Sequence, residues 1–235
     1  MRSENFREAF PQICRFTNFH GALITMPHKV AVVDWLDKAS AAVRVAGACN
    51  AVRRSVDGKL IGDMFDGEGF VRAAAGAGRN IAGQRVLIVG AGGVGSAIAA
   101  ACAKAGAGEI ALADTRADAV EGLADRLRQN YPGLKLSLGS NDPSDFGIAV
   151  NATPLGTYPD DPLAMDPSRL SPSALVGEVV LKPAMTPFLA AAKARGLACV
   201  TGLDMLFGQI PAYLEFFGFP PATAAELRET AEIKN

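Results

Sequence analysis

Val86-Leu87-Ile88-Val89-Gly90-Ala91-Gly92-Gly93-Val94-Gly95 is the stretch whose reading decides the fold. Its first four residues are a continuous apolar run of the kind that makes a strand buried on both faces. The glycines follow at once, and Ser96 to Ala105 is almost entirely helix-forming. Strand, glycine turn and helix in succession are the context in which G-x-G-x-x-G reads as a dinucleotide-binding fingerprint. Gly90 permits the tight turn, Gly92 lets backbone approach a pyrophosphate, and Gly95 lets helix and strand pack closely. Ala91, Gly93 and Val94 complete the loop, whose unpaired N–H groups and positive dipole end would face the phosphates. A second strand, 109–113, runs into Asp114, placed where an acidic residue receives ribose hydroxyls.

The fingerprint begins late, so the residues before 86 must form something else. Around it, the alternation of strands (86–89, 109–113, 134–138, 147–151, 176–181, 198–201) with helices (96–105, 117–129, 186–195) is the rhythm of a doubly wound parallel sheet. The upstream part predicts an amphipathic helix over 4–15 that buries Phe6, Phe10 and Ile13. A strand follows at 21–25, then one helix from Val30 to Val45. Two short strands, 49–52 and 60–62, flank the hairpin signal Asp57-Gly58. Residues 70–77 read as a helix, 205–217 as a helix with an aromatic face, with Tyr213, Phe216 and Phe217 as packing, and 222–234 as a charged helix. The predicted fold is therefore α/β, a Rossmann-type sheet preceded by a smaller α/β domain. The expected divisions are 1–78, 79–201, and a C-terminal pair of helices, 202–235, returning to the first domain.

Composition narrows the class. Hydrophobic residues make up 49% and charged ones 20%, which is ordinary for a globular chain with a sizeable core. A near balance of 23 basic and 24 acidic residues, net −1, gives no electrostatic reason to expect nucleic acid or an anionic membrane as partner. No apolar run is long enough for a span, and residues 1–20 lack the apolar core of a secretory signal. Cys14, Cys49, Cys102 and Cys199 are scattered without C-x-x-C, so they read as reduced cysteines of a cytoplasmic protein and no metal site is expected.

Two upstream clusters carry chemistry. In Thr25-Met26-Pro27-His28-Lys29 a strand ends, Pro27 fixes the chain before a predicted helix, and Lys29 would project from its first turn. In Gly62-Asp63-Met64-Phe65-Asp66-Gly67-Glu68-Gly69, Asp66 stands just ahead of the connecting helix. A lysine and an aspartate facing a nicotinamide could polarise a hydroxyl and shuttle its proton. His28 reads as structural.

Taken with these clusters, six motifs in order resemble the shikimate/quinate dehydrogenase family over nearly the whole chain. Thr25-x-Pro27-His28-Lys29 is similar to that family's V-T-x-P-H-K, Gly47-Ala48-Cys49-Asn50 to G-A-x-N, and Asp66-Gly67-x-Gly69 to N-T-D-G-x-G. After the glycine loop come Asn151-Ala152-Thr153 for N-A-T, Lys182-Pro183-x-x-Thr186-Pro187 for x-P-x-x-T-P, and Gly202-Leu203-Asp204-Met205-Leu206-x-x-Gln209 for G-x-x-M-L-x-x-Q. The resemblance implies that Lys29 and Asp66 are the catalytic pair. It implies that Thr25, Asn50 and Gln209 bind the hydroxyls of a cyclic hydroxy-carboxylate. Gly202, Met205 and Thr153 would lie beside the nicotinamide. The implied reaction is reversible hydride transfer between 3-dehydroshikimate and shikimate with NADP or NAD, in a cytoplasmic monomer or homodimer. Quinate dehydrogenation, or nucleotide binding with impaired turnover, are the alternatives.

Three departures shape the expectations. The family's opening strand and its Ser-x-Ser carboxylate anchor have no counterpart, a leader of roughly 50 to 60 residues by the family pattern and ordinary domain sizes. Met64-Phe65 replaces the Asn-Thr before the aspartate, and Leu181 replaces a tyrosine, which makes the site more apolar. Asp114-Thr115-Arg116 stands where NADP enzymes of the family carry Asn-Arg-Thr. Asp114 would accept from an unphosphorylated ribose and repel a 2′-phosphate, while Arg116 could attract one, so NAD is slightly favoured over NADP.

Overall fold

The structure is a computed structural model that describes residues 3–25 and 27–231. Its centre is the run just quoted: Arg85–Val89 (β5) is buried from Val86 onward. β5 pairs in parallel with Glu109–Ala113 (β6) on one side and Ile148–Asn151 (β8) on the other. Lys135–Leu138 (β7), Leu175–Glu178 (β9) and Ala198–Val200 (β10) extend the sheet to the order β10-β9-β8-β5-β6-β7, all parallel. The strand order reverses between β5 and β8, and such a switch point opens a crevice at the carboxyl ends of the strands. The glycine loop leaves β5 there and enters Gly93–Lys104 (α4). Ala117–Asn130 (α5) covers the same face as α4, packing Leu123 and Leu127 with Ile98, Ile110 and Leu112. Pro187–Ala194 (α6) covers the other face through Phe188 and Leu189.

Upstream, Gly21–Leu23 (β1), Lys38–Ala39 (β2), Ala51–Arg54 (β3) and Leu60–Asp63 (β4) form a second sheet of order β1-β3-β4-β2. The expected hairpin is present as antiparallel β3 and β4, from Arg54 opposite Leu60 to Ala51 opposite Asp63. Phe6–Ile13 (α1) buries Phe6 and Phe10 and leaves Ile13 at the exposed rim. Asp66–Gly76 (α3) begins at Asp66, four residues earlier than its apolar periodicity suggests. It packs on α4 and on Gly202–Phe217 (α7), and α7 reaches back to β3. Gly67 and Gly69 allow this close crossing: a Cβ at either would run into the Ala97 carbonyl of α4 or the Met205 carbonyl of α7.

The single helix expected from Val30 to Val45 is not formed. Residues 27–30 make a turn, Ala31–Trp35 a short 3-10 helix, 38–39 the strand β2, and Ala41–Ala46 (α2) a separate helix. Local hydrogen bonds outcompete the continuous helix here. Asp37 accepts from the Leu60 N–H at 2.8 Å and ties the chain to β4. Ser40 caps α2 by accepting from the Val43 N–H at 3.2 Å. The charged C-terminal helix covers Ala224–Thr230 (α8), and residues 232–234 of its expected span lie outside the described residues. No helix among the described residues is long and apolar enough to cross a membrane.

One carboxylate ties the edge of the large sheet. Glu109, nearly buried at the start of β6, accepts from Ser137 Oγ at 2.7 Å and pairs with Arg85 and Lys135, each at 3.0 Å. The Ser137 hydroxyl and the Lys135 ammonium, helped by Arg85, lower its pKa from 4.5 to about 2. Ionisation therefore favours the folded state, fully above 4.5 and progressively less as pH falls toward about 2. Glu109→Gln is expected to lower the urea midpoint at pH 7 and to converge with the parent near pH 2. Equal separation at both pH values would show that the charge contributes nothing.

Candidate active site

The two upstream clusters meet at the N-terminus of α3. Lys29 lies in the turn ahead of the 3-10 helix, not in a first helical turn, and its backbone carbonyl accepts from the Cys49 N–H at 2.8 Å. That bond fixes the turn beside Asn50, the residue just ahead of β3. Asp66 is the first residue of α3, where the positive end of the helix dipole favours an anion. Lys29 Nζ and Asp66 Oδ2 are 2.6 Å apart, with side chains 12% and 5% exposed. A pair this withdrawn from water is coupled far more strongly than a surface ion pair.

Asn50, buried, connects the pair to the rest of the site. Its Nδ2 donates to Asp66 Oδ1 at 2.9 Å and to the Tyr213 hydroxyl at 2.8 Å. Its Oδ1 accepts from the Phe65 N–H at 2.9 Å. The Tyr213 hydroxyl in turn donates to Gln209 Oε1 at 3.1 Å, one helical turn away on α7. A continuous polar chain thus runs Lys29–Asp66–Asn50–Tyr213–Gln209. Tyr213 had read as packing, and the structure corrects that: its ring packs edge-on against Phe65 at 5.3 Å, but its hydroxyl belongs to the site. The signal was available in the i, i+4 spacing of Gln209 and Tyr213, which places both on one helix face. Burial, and then the Asp66 charge, raise the Tyr213 pKa above the usual phenol range, so it remains a neutral donor.

Thr25 is not brought into this chain. It is exposed, and its backbone carbonyl accepts from the His28 N–H at 2.9 Å. His28 stacks flat on Phe6, ring centroids 4.0 Å apart. Met64 is buried in the core of the upstream domain, and Phe65 also packs on Phe216.

At the switch point, a cleft of about 570 Å³ is lined by Gly90, Gly92, Asp114, Thr115, Arg116 and Thr153, among others. Gly90 has φ +109°, which an L side chain rarely adopts, and a Cβ there would press on the Ala152 backbone. Gly95 sits against the Gly90 carbonyl, whereas a Cβ on Gly92 would have open space. Gly90 thus makes the expected turn and Gly95 the expected close packing, and the open space at Gly92 leaves room for the backbone approach expected of it. Asp114 Oδ2 accepts from the Ala91 N–H at 2.7 Å and Oδ1 from the Arg116 N–H at 2.9 Å, so the carboxylate also braces the loop. Burial alone would raise its pKa. Those two N–H groups and the Arg116 guanidinium outweigh it and hold the group below its ordinary value, ready to accept. The cradle fits a dinucleotide: an open Gly92, a twelve-residue helix starting at Gly93, and an ionised acid on the next strand.

Gly93 and Val94 begin α4, and a Cβ on Gly93 would come 3.8 Å from that of Ala48, two residues before Asn50. The cofactor cradle and the polar chain therefore adjoin where α4 meets the upstream domain. Thr153 Oγ1 donates to Asn151 Oδ1 at 2.6 Å, which holds the loop after β8. Gly202 and Met205 do not line the cleft. Gly202 lies against the Val180 carbonyl and Met205 is in the core, so both have packing duties. Sequence reasoning also missed Glu178. Wholly buried at the end of β9, it accepts from Asn151 Nδ2 at 3.0 Å and Thr186 Oγ1 at 3.0 Å. Burial raises its pKa. It joins the ends of β8 and β9 to the cap of α6. Among the described residues no group of His, Cys, Asp and Glu is placed to hold a metal ion.

Residues 1–52 match the family model of the shikimate dehydrogenase substrate binding domain, and residues 69–122, around the glycine loop, match that of the ThiF family. A shikimate dehydrogenase (NADP(+)) of Methylobacterium radiotolerans is 36% identical over 236 residues, covering 94% of this chain and 81% of its own. Two solved structures superpose with TM-scores of 0.87. The ligand-free 5-ketofructose reductase of Gluconobacter sp. strain CHM43 has 30% identity and covers 98% and 84% of the two chains. The shikimate 5-dehydrogenase of Listeria monocytogenes, solved with shikimate and NAD, has 27% identity and covers 97% and 83%.

Proposed function

The chain belongs to the shikimate dehydrogenase family, and from that premise we propose that it interconverts 3-dehydroshikimate and shikimate, or a closely related cyclic hydroxy acid such as quinate, in the cytoplasm. The enzyme is an NAD(P)-dependent dehydrogenase. The observation that carries the substrate reading is the Lys29–Asp66 pair, 2.6 Å apart, shielded from water and tied by Asn50 to the wall next to the cofactor cradle. Residues 1–78 would form the substrate domain and 79–201 the cofactor domain, with 202–235 returning to the first.

Oxidising a ring alcohol removes a hydride from carbon and a proton from oxygen. A nicotinamide held in the cradle would supply the hydride acceptor or donor. Lys29 Nζ would hold the substrate oxygen and its proton, and Asp66 would keep the ammonium in place and share the proton. Gln209 would orient a ring hydroxyl, Asn50 would hold Asp66 and the Tyr213 hydroxyl beside it, and Thr25 would close the site from the exposed side. Gly90 through Gly95 would receive the pyrophosphate, and Asp114, Thr115 and Arg116 the adenosine ribose. Thr153, which lines the cleft, would flank the nicotinamide.

Fluorescence titration with NADH and NADPH, followed by absorbance at the reduced-nicotinamide band with shikimate and with quinate, tests the proposal. Cofactor binding without turnover of either acid would leave a nucleotide-binding relative instead. For the cofactor itself, the charge at Asp114 opposes a 2′-phosphate, so NAD is the favoured partner. Asp114→Asn is expected to raise the NADP-to-NAD ratio of kcat/KM by about tenfold through lost repulsion. An unchanged ratio would transfer the selectivity to other groups.

A further inference from the structure

The Tyr213 hydroxyl is held by the protein itself on both sides, by Asn50 and by Gln209. A substrate hydroxyl received by Asn50 and Gln209 would accept from an amide N–H and donate to an amide oxygen. The Tyr213 hydroxyl does both: it accepts from Asn50 Nδ2 at 2.8 Å and donates to Gln209 Oε1 at 3.1 Å. Both Nδ2 hydrogens of Asn50 are thereby committed, one to Asp66 and one to Tyr213, and its Oδ1 holds the Phe65 N–H. The same wall carries Phe65 immediately before Asp66, with its ring edge-on to Tyr213 and Phe216. The amide hydrogens of Asn50 and the hydroxyl proton of Tyr213 are thus satisfied internally rather than offered to a ligand.

We propose that Tyr213 determines substrate specificity: its phenolic hydroxyl stands in for one ring hydroxyl of the substrate, so the site selects a cyclic acid with one hydroxyl fewer than shikimate. This rests on the dehydrogenase reading above and narrows it. An extra substrate hydroxyl directed at this wall would meet a donor and an acceptor that are already paired, and would be stranded against the phenol ring. A site of that kind discriminates because a buried polar group left without a partner is costly.

The test compares shikimate with 4-deoxyshikimate and 5-deoxyshikimate, which keep the oxidisable 3-hydroxyl, using the full chain with NAD and with NADP. Tyr213→Ala vacates the position and frees Asn50 and Gln209 to receive a hydroxyl. It is expected to shift the ratio of kcat/KM for shikimate over the preferred deoxy acid at least ~10-fold toward shikimate. Tyr213→Leu retains apolar packing against Phe65 while clearing the tip of the ring. It is expected to shift the ratio in the same direction and guards against loss of folding in the alanine variant. A change by one common factor for all three acids would overturn the proposal and return Tyr213 to packing. Absence of turnover with any of the three acids, by the parent and both variants alike, would overturn the dehydrogenase reading, and the specificity proposal with it.

Discussion

Lys29→Ala lowers kcat by about 10³-fold for both directions of the reaction while the dissociation constants of NAD and NADP stay unchanged. The magnitude is that of a positioned proton-transfer group removed from a site where, among the described residues, Lys29 is the cation paired with Asp66. The cofactor constants hold because the cradle residues, Gly90 through Asp114, make none of their hydrogen bonds to Lys29. Deleting one partner of a buried pair also destabilises, by roughly 3–5 kcal/mol when the remaining charge has no other partner. Here Asn50 still donates to Asp66, and the helix N-terminus still favours the carboxylate, so the loss is smaller and the variant folds. Thermal unfolding of the variant with and without NADH separates the two effects: a ligand-induced rise in Tm equal to that of the parent certifies an intact cradle. Full activity in Lys29→Ala would remove the lysine from the chemistry. Asp66→Asn is the complementary variant, since it keeps the Asn50 contact and removes only the charge.

The parts of the molecule legible in the sequence are those where one local rule acts alone. The Val86–Val89 run and the glycine spacing fix β5, its loop and α4, because a buried parallel strand and a phosphate cradle each demand particular residues at particular positions. The Asp57-Gly58 hairpin was equally plain. The stretch 30–45 was not, because its apolar spacing fits a helix while its actual path is set by Asp37 reaching the Leu60 N–H and by Ser40 capping α2. Those partners are distant or depend on where the helix starts. The site divides in the same way. Lys29, Asp66 and Asn50 follow from motif order, and the structure places Lys29 and Asn50 each in a hydrogen bond to Asp66. Thr25 was chosen by the same order and lies exposed, with its hydroxyl outside the polar chain. Tyr213 was missed because an aromatic face on a helix reads as core, and only the tertiary contact with Asn50, 163 residues away, turns its hydroxyl inward to the site.

Gly95→Ala severely weakens cofactor binding and destabilises the fold together, whereas Gly92→Ala weakens binding alone. A methyl on Gly95 falls well inside contact distance of the Gly90 carbonyl oxygen, 2.9 Å from its carbon and 3.2 Å from the Ala152 side chain. Two of these three atoms are backbone, so no side-chain rotation relieves the clash, and α4 must lift off the end of β5. Overpacking of this kind costs about 1–3 kcal/mol, and the displaced helix N-terminus no longer meets the pyrophosphate. An affinity loss of at least ~100-fold is expected from the misplaced N–H groups, equivalent to about 2.7 kcal/mol. Gly92 is the contrast: its φ is −74° and an added Cβ touches nothing within 4 Å, so the unliganded protein tolerates alanine there. That methyl would instead project into the cleft that Gly92 lines, and would keep the backbone from the phosphates. Urea unfolding and NADH fluorescence titration of the two variants side by side measure this. A Gly95→Ala protein with parental affinity would mean that the helix start and the cradle are not mechanically linked. A Gly92→Ala protein with parental affinity would move the pyrophosphate elsewhere in the cleft.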